Sequence, residues 1–193
     1  NGVSAPTNGI VKQVVVWNGS VYIAGQFTQV GGSVSVNNIA KWDGTTQTWS
    51  ALGSGITGTS PEVKALCVFN NELYVGGTFT NAGGTAANNV AKWNGSSWSI
   101  VGAASGTDQP IYSMIVFNSK LFVGGSFLNA GGTSAHYAAS WNGSAWTGYT
   151  GSSGYVLCFA SFNSELYAGV QGGYVLDKLV SNTFVQASTL NNS

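Results

Sequence analysis

The sequence predicts an all-β fold: a β-propeller with four four-stranded antiparallel blades. Three observations lead there. A hydrophobic triplet followed by a small pair recurs as "VYIAGQF" from Val21, "LYVGGTF" from Leu73, "LFVGGSF" from Leu121 and "LYAGV" from Leu166, in steps of 52, 48 and 45 residues. Each copy sits among short segments rich in β-branched and aromatic residues, bounded by Gly, Asn and Ser, the mark of strands and turns. No segment carries apolar residues at a 3.6-residue period, which excludes helical repeat arrays. Four antiparallel strands repeated about every 48 residues match a propeller blade.

The units fall at 11–53, 63–102, 111–148 and 155–188, and together make one repeat region over 1–193. In the second unit the strands are expected at Val63–Phe69, Leu73–Phe79, Val90–Trp93 and Trp98–Val101. Leu73, Tyr74 and Val75 form an unbroken apolar run, as an inner strand covered on both faces should. Gly76 and Gly77 remove side chains where that strand nears another backbone or bends. Thr80 to Asn89 reads as a long loop, with Gly83 and Gly84 at its turn. Trp93 and Trp98 flank a hairpin and should bury large ring areas between units, worth on the order of 2–3 kcal/mol each. Asn-Gly after Trp17, Trp93 and Trp141 is a type I′ hairpin signal, because both turn positions need positive φ. The fourth unit departs from the plan. Leu179 and Phe184 stand where the others carry Trp, Val170 replaces the second glycine, and about seven loop residues are missing.

These residues resemble kelch-like and galactose-oxidase-like propeller repeats. They are most similar to the "LYVGGxFTxAGG…WDG" units of large secreted bacterial surface proteins and of fungal cortical-marker proteins. The resemblance implies surface display, adhesion or scaffolding with no fixed ligand. It does not carry copper chemistry here, because His136 is the only histidine available for a Tyr and His ligand set. The opening "NGVSAPTNGIVK" is similar to the inter-unit linker "SGITGTSPEVK" at 54–64. Two arrangements are therefore expected: a closed ring of four blades, or a segment of a larger propeller or array.

Composition narrows the function. Six Lys, no Arg, six acidic residues and one His give a formal net charge of zero. A nucleic-acid binder needs a clustered basic face, and a polybasic membrane-surface protein needs the same. Seven Trp, eight Tyr and nine Phe supply the apolar area that disordered chains lack. No run approaches the roughly 18 apolar residues of a membrane span, and no signal peptide pattern is present. A surface made of Ser, Thr, Asn and Gly suits an extracellular or surface-displayed module, on a cell or a virion. Cys67 and Cys158 lie in the apolar segments "ALCVF" and "VLCFA" and are expected to be buried thiols.

Catalytic sets are missing from the pattern. His136 is the only imidazole base and reads as a loop replacement for Asn88. Asp43, Glu62, Glu72, Asp108, Glu165 and Asp177 read as solvated turn charges or local caps. No phosphate loop, dinucleotide fingerprint or metal-ligand spacing appears. No catalytic residue, cofactor or metal is expected. The expected function is a non-enzymatic scaffold or an adhesion and protein-binding platform; the alternative is a carbohydrate-binding, lectin-like propeller. Binding is expected on the loops between second and third strands, at Asn37, Asn38, Asn88, Asn89, His136 and Tyr137. The partner would be a protein or a glycan, or neighbouring blades or copies in a larger assembly, and not nucleic acid or a membrane interior. Asn18, Asn94, Asn142 and Asn191 each open an Asn-X-Ser sequon and are possible glycosylation positions.

Overall fold

A computed structural model of the chain describes residues 7–104, 106–172 and 176–187. The described residues contain strands and turns and no helix. Four antiparallel sheets of four strands each account for the repeats. Sheet I has Ile10–Trp17, Ser20–Gln26, Ile39–Asp43 and Thr48–Ala51; sheet II has Glu62–Phe69, Glu72–Thr78, Val90–Trp93 and Trp98–Ser99. Sheet III has Ile111–Phe117, Lys120–Gly125, Ala138–Trp141 and Trp146–Gly148; sheet IV has Tyr155–Phe162, Glu165–Gln171, Leu176–Val180 and Thr183–Gln186. The strands expected in the second unit are recovered within two residues at each end.

Each sheet pairs consecutive strands, and the register repeats. Ile23 faces Ala40, Val75 faces Ala91, Val123 faces Ala139, and Ala168 faces Asp177. Every first strand bulges at the same place, after Val11, Val63, Ile111 and Val156. The sheets stack face to face in a row, with successive first strands packed on one another. Among the described residues, the first strand of sheet I is not packed on that of sheet IV in the same way. Among the described residues, no sheet packs on the rear of sheet I or on the front of sheet IV as the sheets pack on one another within the row.

Three junctions make the core. Between sheets I and II lie Trp17, Tyr22 and Ile39 against Val63, Leu73, Val75 and Trp93. Between II and III lie Phe69, Tyr74 and Val90 against Ile111, Leu121, Val123 and Trp141. Between III and IV lie Phe122, Ala138 and Tyr149 against Val156, Leu166, Ala168 and Phe184. Each sheet so has a forward face and a rear face of fixed composition.

Both glycine pairs now have causes. A Cβ at Gly76 would sit 2.6 Å from Met114 and 2.7 Å from Ile111, the next sheet's first strand. At Gly77 it would lie 2.0 Å from the carbonyl oxygen of Glu62, beside the bulge. Gly83 and Gly84 turn with φ of 61° and 85°, and a Cβ at Gly83 would strike Trp98. The same arrangement sets Gly31 under Trp49 and Gly131 under Trp146. The closing Trp of each of the first three units thus lies over that unit's own glycine turn. It also reaches back: Trp98 Nε1 donates to Leu52 O at 2.7 Å and Trp146 Nε1 to Val101 O at 3.1 Å.

Two expectations need correction. Trp17 and Ser20 close a two-residue type I′ turn, with Asn18 and Gly19 at φ of 46° and 72°. After Trp93 and Trp141, however, Asn-Gly starts a four-residue loop. The side-chain oxygen of Asn94 accepts from the backbone N–H of Ser96 and Ser97, and that of Asn142 from Ser144 and Ala145. An Asx turn forms because the side chain of Asn competes for the backbone donors. Type I′ geometry instead occupies the other hairpins, at Asn70-Asn71, Asn118-Ser119 and Asn163-Ser164. The second correction concerns thiols. Cys67 is half-buried, but Cys158 is exposed, because among the described residues no sheet covers the forward face of sheet IV.

Candidate functional site

The loops between second and third strands and the inter-unit linkers meet at the end of the sheets opposite the hairpins. Two clefts of the same construction open there. The larger, about 620 Å³, is lined by Asn8, Gln26, Thr28, Asn37, Asn38 and Thr57, among others. The second, about 310 Å³, is lined by Thr78, Thr80, Asn88, Asn89, Thr107 and Asp108, with Thr59 and Phe79. The walls combine hydroxyls, amides and backbone with Phe27 and Phe79 behind them, and the larger cleft adds the apolar side chains of Ile10, Ile56 and Pro61.

The Asn pairs divide their work. Asn38 and Asn89 sit at φ of 64° and 63°, a region Asn tolerates better than most residues. Asn38 Oδ1 accepts from Phe27 N and its Nδ2 donates to Ile56 O at 2.8 Å. Asn89 repeats this, accepting from Phe79 N and donating to Thr107 O at 3.0 Å. Each ties its own loop to the following linker and so holds a cleft open. Asn37 and Asn88 are exposed beside them. Asn37 Nδ2 donates to Ser54 O at 2.9 Å. In the third unit His136 is exposed and Tyr137 takes the positive-φ position, at 70°. The Tyr137 ring stands edge-on to Tyr155 at 5.1 Å between centroids. The six loop residues therefore occupy equivalent places in three units, four of them around the two clefts.

Sequence reasoning missed the linker clamp. Asn8 Oδ1 accepts from Thr28 N and Gln29 N. Asp108 does the same for Leu128 N and Asn129 N, and takes Asn129 Nδ2 at 2.8 Å. Both stand four residues before the bulge residue, after a Thr whose hydroxyl donates two residues on. The repeated Thr-Asn and Thr-Asp pairs were the available signal. Burial pushes the Asp108 carboxyl up, but the Asn129 and backbone donors outweigh it and hold it below the usual carboxylate range.

All six acidic side chains have internal partners. Glu62 pairs with Lys12 and Lys64, Glu72 with Lys92, and Glu165 with Lys178. Asp43 caps Thr45 and Thr46. Asp177, expected as a solvated charge or local cap, is fully buried; it accepts from Ser153 N and from the hydroxyls of Ser152 and Ser153. Burial raises the Cys67 thiol to about 11, against a smaller lowering by a backbone hydrogen bond at Val116. Asn18, Asn94 and Asn142 are exposed at the hairpin tips, at the other end of the sheets from the clefts. Asn191 lies outside the described residues. Among the described residues no group of three His, Cys, Asp or Glu is placed to hold a metal, and no helix is long and apolar enough to cross a membrane.

No protein-family model matches the chain. A 70-residue stretch is 36% identical to the polarized growth protein rax2 of Schizosaccharomyces pombe; it makes up 34% of this chain and 6% of that protein. Among solved structures, the computationally designed Ika4 protein aligns with a TM-score of 0.59 at 12% identity, over 96% of this chain and 98% of Ika4. The extracellular domain of the putative hybrid two component system BT4673 from B. thetaiotaomicron aligns at 0.56 and 14%, over 96% of this chain and 22% of that one. The designed Ika8 protein aligns at 0.51 and 14%, over 87% of this chain and 57% of Ika8. At these identities the likeness concerns the fold.

Proposed function

We propose that the chain is a non-enzymatic propeller module, displayed extracellularly or on a surface, that binds a protein partner through the loop end of its sheets. The observation that carries this reading is the repetition of the Asn-framed cleft. Asn38 and Asn89 hold two equivalent clefts by the same hydrogen bonds, with Asn37 and Asn88 exposed beside them, and His136 is exposed at the equivalent place in the third unit. A rigid scaffold with its variation in exposed loops is the usual plan of a binding surface. The acidic residues support the absence of catalysis, since each is engaged in an ion pair or a backbone cap. The uncharged polar surface and the likeness to an extracellular domain fit display outside the cell.

Fluorescently labelled chain applied to intact cells of its source tests this. Replacing Asn37, Asn88 and His136 together with Ala should abolish cell binding and leave the far-UV spectrum unchanged. Replacing Asn18, at the opposite end, should change nothing. Undiminished binding by the triple variant would remove the loop end as the site. The carbohydrate-binding reading rests on Trp42 and Trp49, whose rings meet at 5.1 Å and are half-buried on the uncovered face of sheet I. A glycan array on which Trp42→Ala loses a signal shown by the parent chain would favour it.

A further inference from the structure

The two ends of the row are the two halves of a junction the molecule builds three times. Among the described residues no other sheet covers the forward face of sheet IV or the rear face of sheet I; on the latter the unit's own loop, with Phe27, Val30 and Val36, packs on Ile23 and Ala40 and leaves the first strand bare. Position by position, the residues on them are those buried elsewhere. On the rear face, Val11 is 42% exposed, whereas its equivalents Val63, Ile111 and Val156 are all at 0%. Val14 is 62% exposed, against 9% for Leu66. On the forward face, Phe162 is 66% exposed, against 5% for Trp17 and 4% for Phe69. Leu176 is 48% exposed, while Ile39, Val90 and Ala138 are at 0%.

Steric detail matches too. A Cβ at Gly76 would meet Ile111 and Met114, and one at Gly124 would meet Val156 and Phe159. Glycine stands at these two places because the next sheet's first strand comes so close; the first junction carries Ala24 there, so a small residue is the common feature. At Gly169 the one neighbour within reach among the described residues is Cys158 of the same sheet. The residues that the interior pattern would bring over Gly169 are Val11 and Val14. Charge agrees as well. Lys12, at the bulge of sheet I, pairs with Glu62 of sheet II at 3.3 Å. The bulge residue of sheet IV is Leu157, and the counterpart of Glu62 in sheet I is Ile10; both are exposed apolar side chains. An ion pair inside the row corresponds to an apolar pair at its ends.

We infer that the forward face of sheet IV receives the rear face of sheet I from a second copy of this chain, head to tail. Two copies then share two identical junctions. A head-to-tail contact closes into a ring or runs on as a filament, depending on its rotation. Eight sheets lie within the range in which propellers close. The number two rests on the propeller reading above; the head-to-tail contact does not.

Sedimentation equilibrium of the 193-residue chain, 19.8 kDa, tests both. The expected result is a concentration-dependent mass reaching twice that of one chain and stopping there. Val14→Glu and Phe162→Glu should each leave a monomer, with unchanged far-UV spectra because both side chains are exposed. Mixing the two variants should restore a two-chain species, since one junction then joins an unmodified forward face to an unmodified rear face. Alkylation of Cys158 gives a second reading: its rate should fall at least tenfold on assembly and stay fast in either variant. A chain monomeric at millimolar concentration overturns the inference. So does loss of the dimer from only one of the two variants, which would indicate like faces meeting. A mass that keeps growing with concentration, yet collapses in both variants, keeps the head-to-tail contact and overturns the closed pair and the ring with it.

Discussion

Sheets II and IV follow the same strand order and register with different side chains. Sheet II closes with Trp93 and Trp98, carries Gly76-Gly77 and has Ala91 at its centre. Sheet IV closes with Leu179 and Phe184, carries Gly169-Val170 and has Asp177 at the centre. It still forms four paired strands with the same bulge. Phe184 shows what the closing Trp is for. Its ring is buried beside Tyr149 and Phe159, at centroid distances of 6.0 and 6.3 Å. Apolar ring volume is what sheet IV retains; the indole N–H that Trp98 and Trp146 spend on the preceding linker is what it lacks.

The largest effect should come from removing ring volume inside a junction. Trp146→Ala takes away a ring buried between sheets II and III together with its bond to Val101. A loss of about 3–5 kcal/mol is expected, from the range for large buried aromatics. Trp49→Ala, at the equivalent place in the end sheet where the ring is half-buried, should cost clearly less. Urea unfolding of both variants checks the order. Equal losses would mean that the rings act within their own sheets and not between them.

Next in size is Asp177→Ala, which gives sheet IV the residue the other three carry. By composition it should be harmless. In place, it strands the Ser153 N–H and the Ser152 and Ser153 hydroxyls that now point at a buried carboxylate. Hydrogen bonds to a charged group are each worth about 1.5–3 kcal/mol, so a loss of that order is expected. A variant as stable as the parent would show that water replaces the carboxylate without penalty.

Strand order and repeat length were legible because apolar alternation, glycine pairs and paired Trp each have a single steric cause. Leu73–Val75 is apolar because it is covered on both sides, and Gly76 is small because Met114 is there. The Asn-Gly loops after Trp93 and Trp141 were misread because the same dipeptide serves two turns. The side-chain acceptor, not the glycine, decides between them. Cys158 was misplaced for a different reason. The local string "VLCFA" says strand, but whether a strand face is covered depends on whether another sheet follows. The six loop positions follow from the repeat itself, which sets them between second and third strands in three units. The clamps at Asn8 and Asp108 do not, since their partners are backbone groups about 20 residues away and leave no mark in composition.

Glycine at the forward face gives a sharper form of the comparison. Gly76→Ala must push Met114 or Ile111 aside in a packed junction. Overpacking of this kind costs about 1–3 kcal/mol. Among the described residues Gly169→Ala meets the Cys158 side chain alone, on the uncovered face of sheet IV, and should cost a few tenths of that in the monomer. Ala24 holds the same place in sheet I, so the backbone itself accepts a methyl group there. Thermal unfolding at a concentration where the chain is monomeric separates the two.

Acid should act mainly through the ties between units, and by the smallest margin. Burial raises the Glu62 carboxyl, but hydrogen bonds from Lys64 and Lys12 more than offset it, and the folded value lies below the ordinary one. Asp108 is lowered in the same net sense by Asn129 and the Leu128 N–H. A carboxylate lowered by folding stabilises the folded state in full above its unfolded pKa, about 4 for Asp and Glu. That contribution is lost as pH falls through the folded value. Stability should therefore be flat from pH 7 to about 5 and decline below it. Glu62→Gln should flatten part of the decline, because its amide does not titrate. Asn8 performs at the first linker what Asp108 performs at the third, with no charge. Asp108→Asn should then remove a further part of the acid dependence while keeping the clamp. A pH profile of urea midpoints that both variants leave unchanged would place the acid sensitivity in carboxylates other than these two.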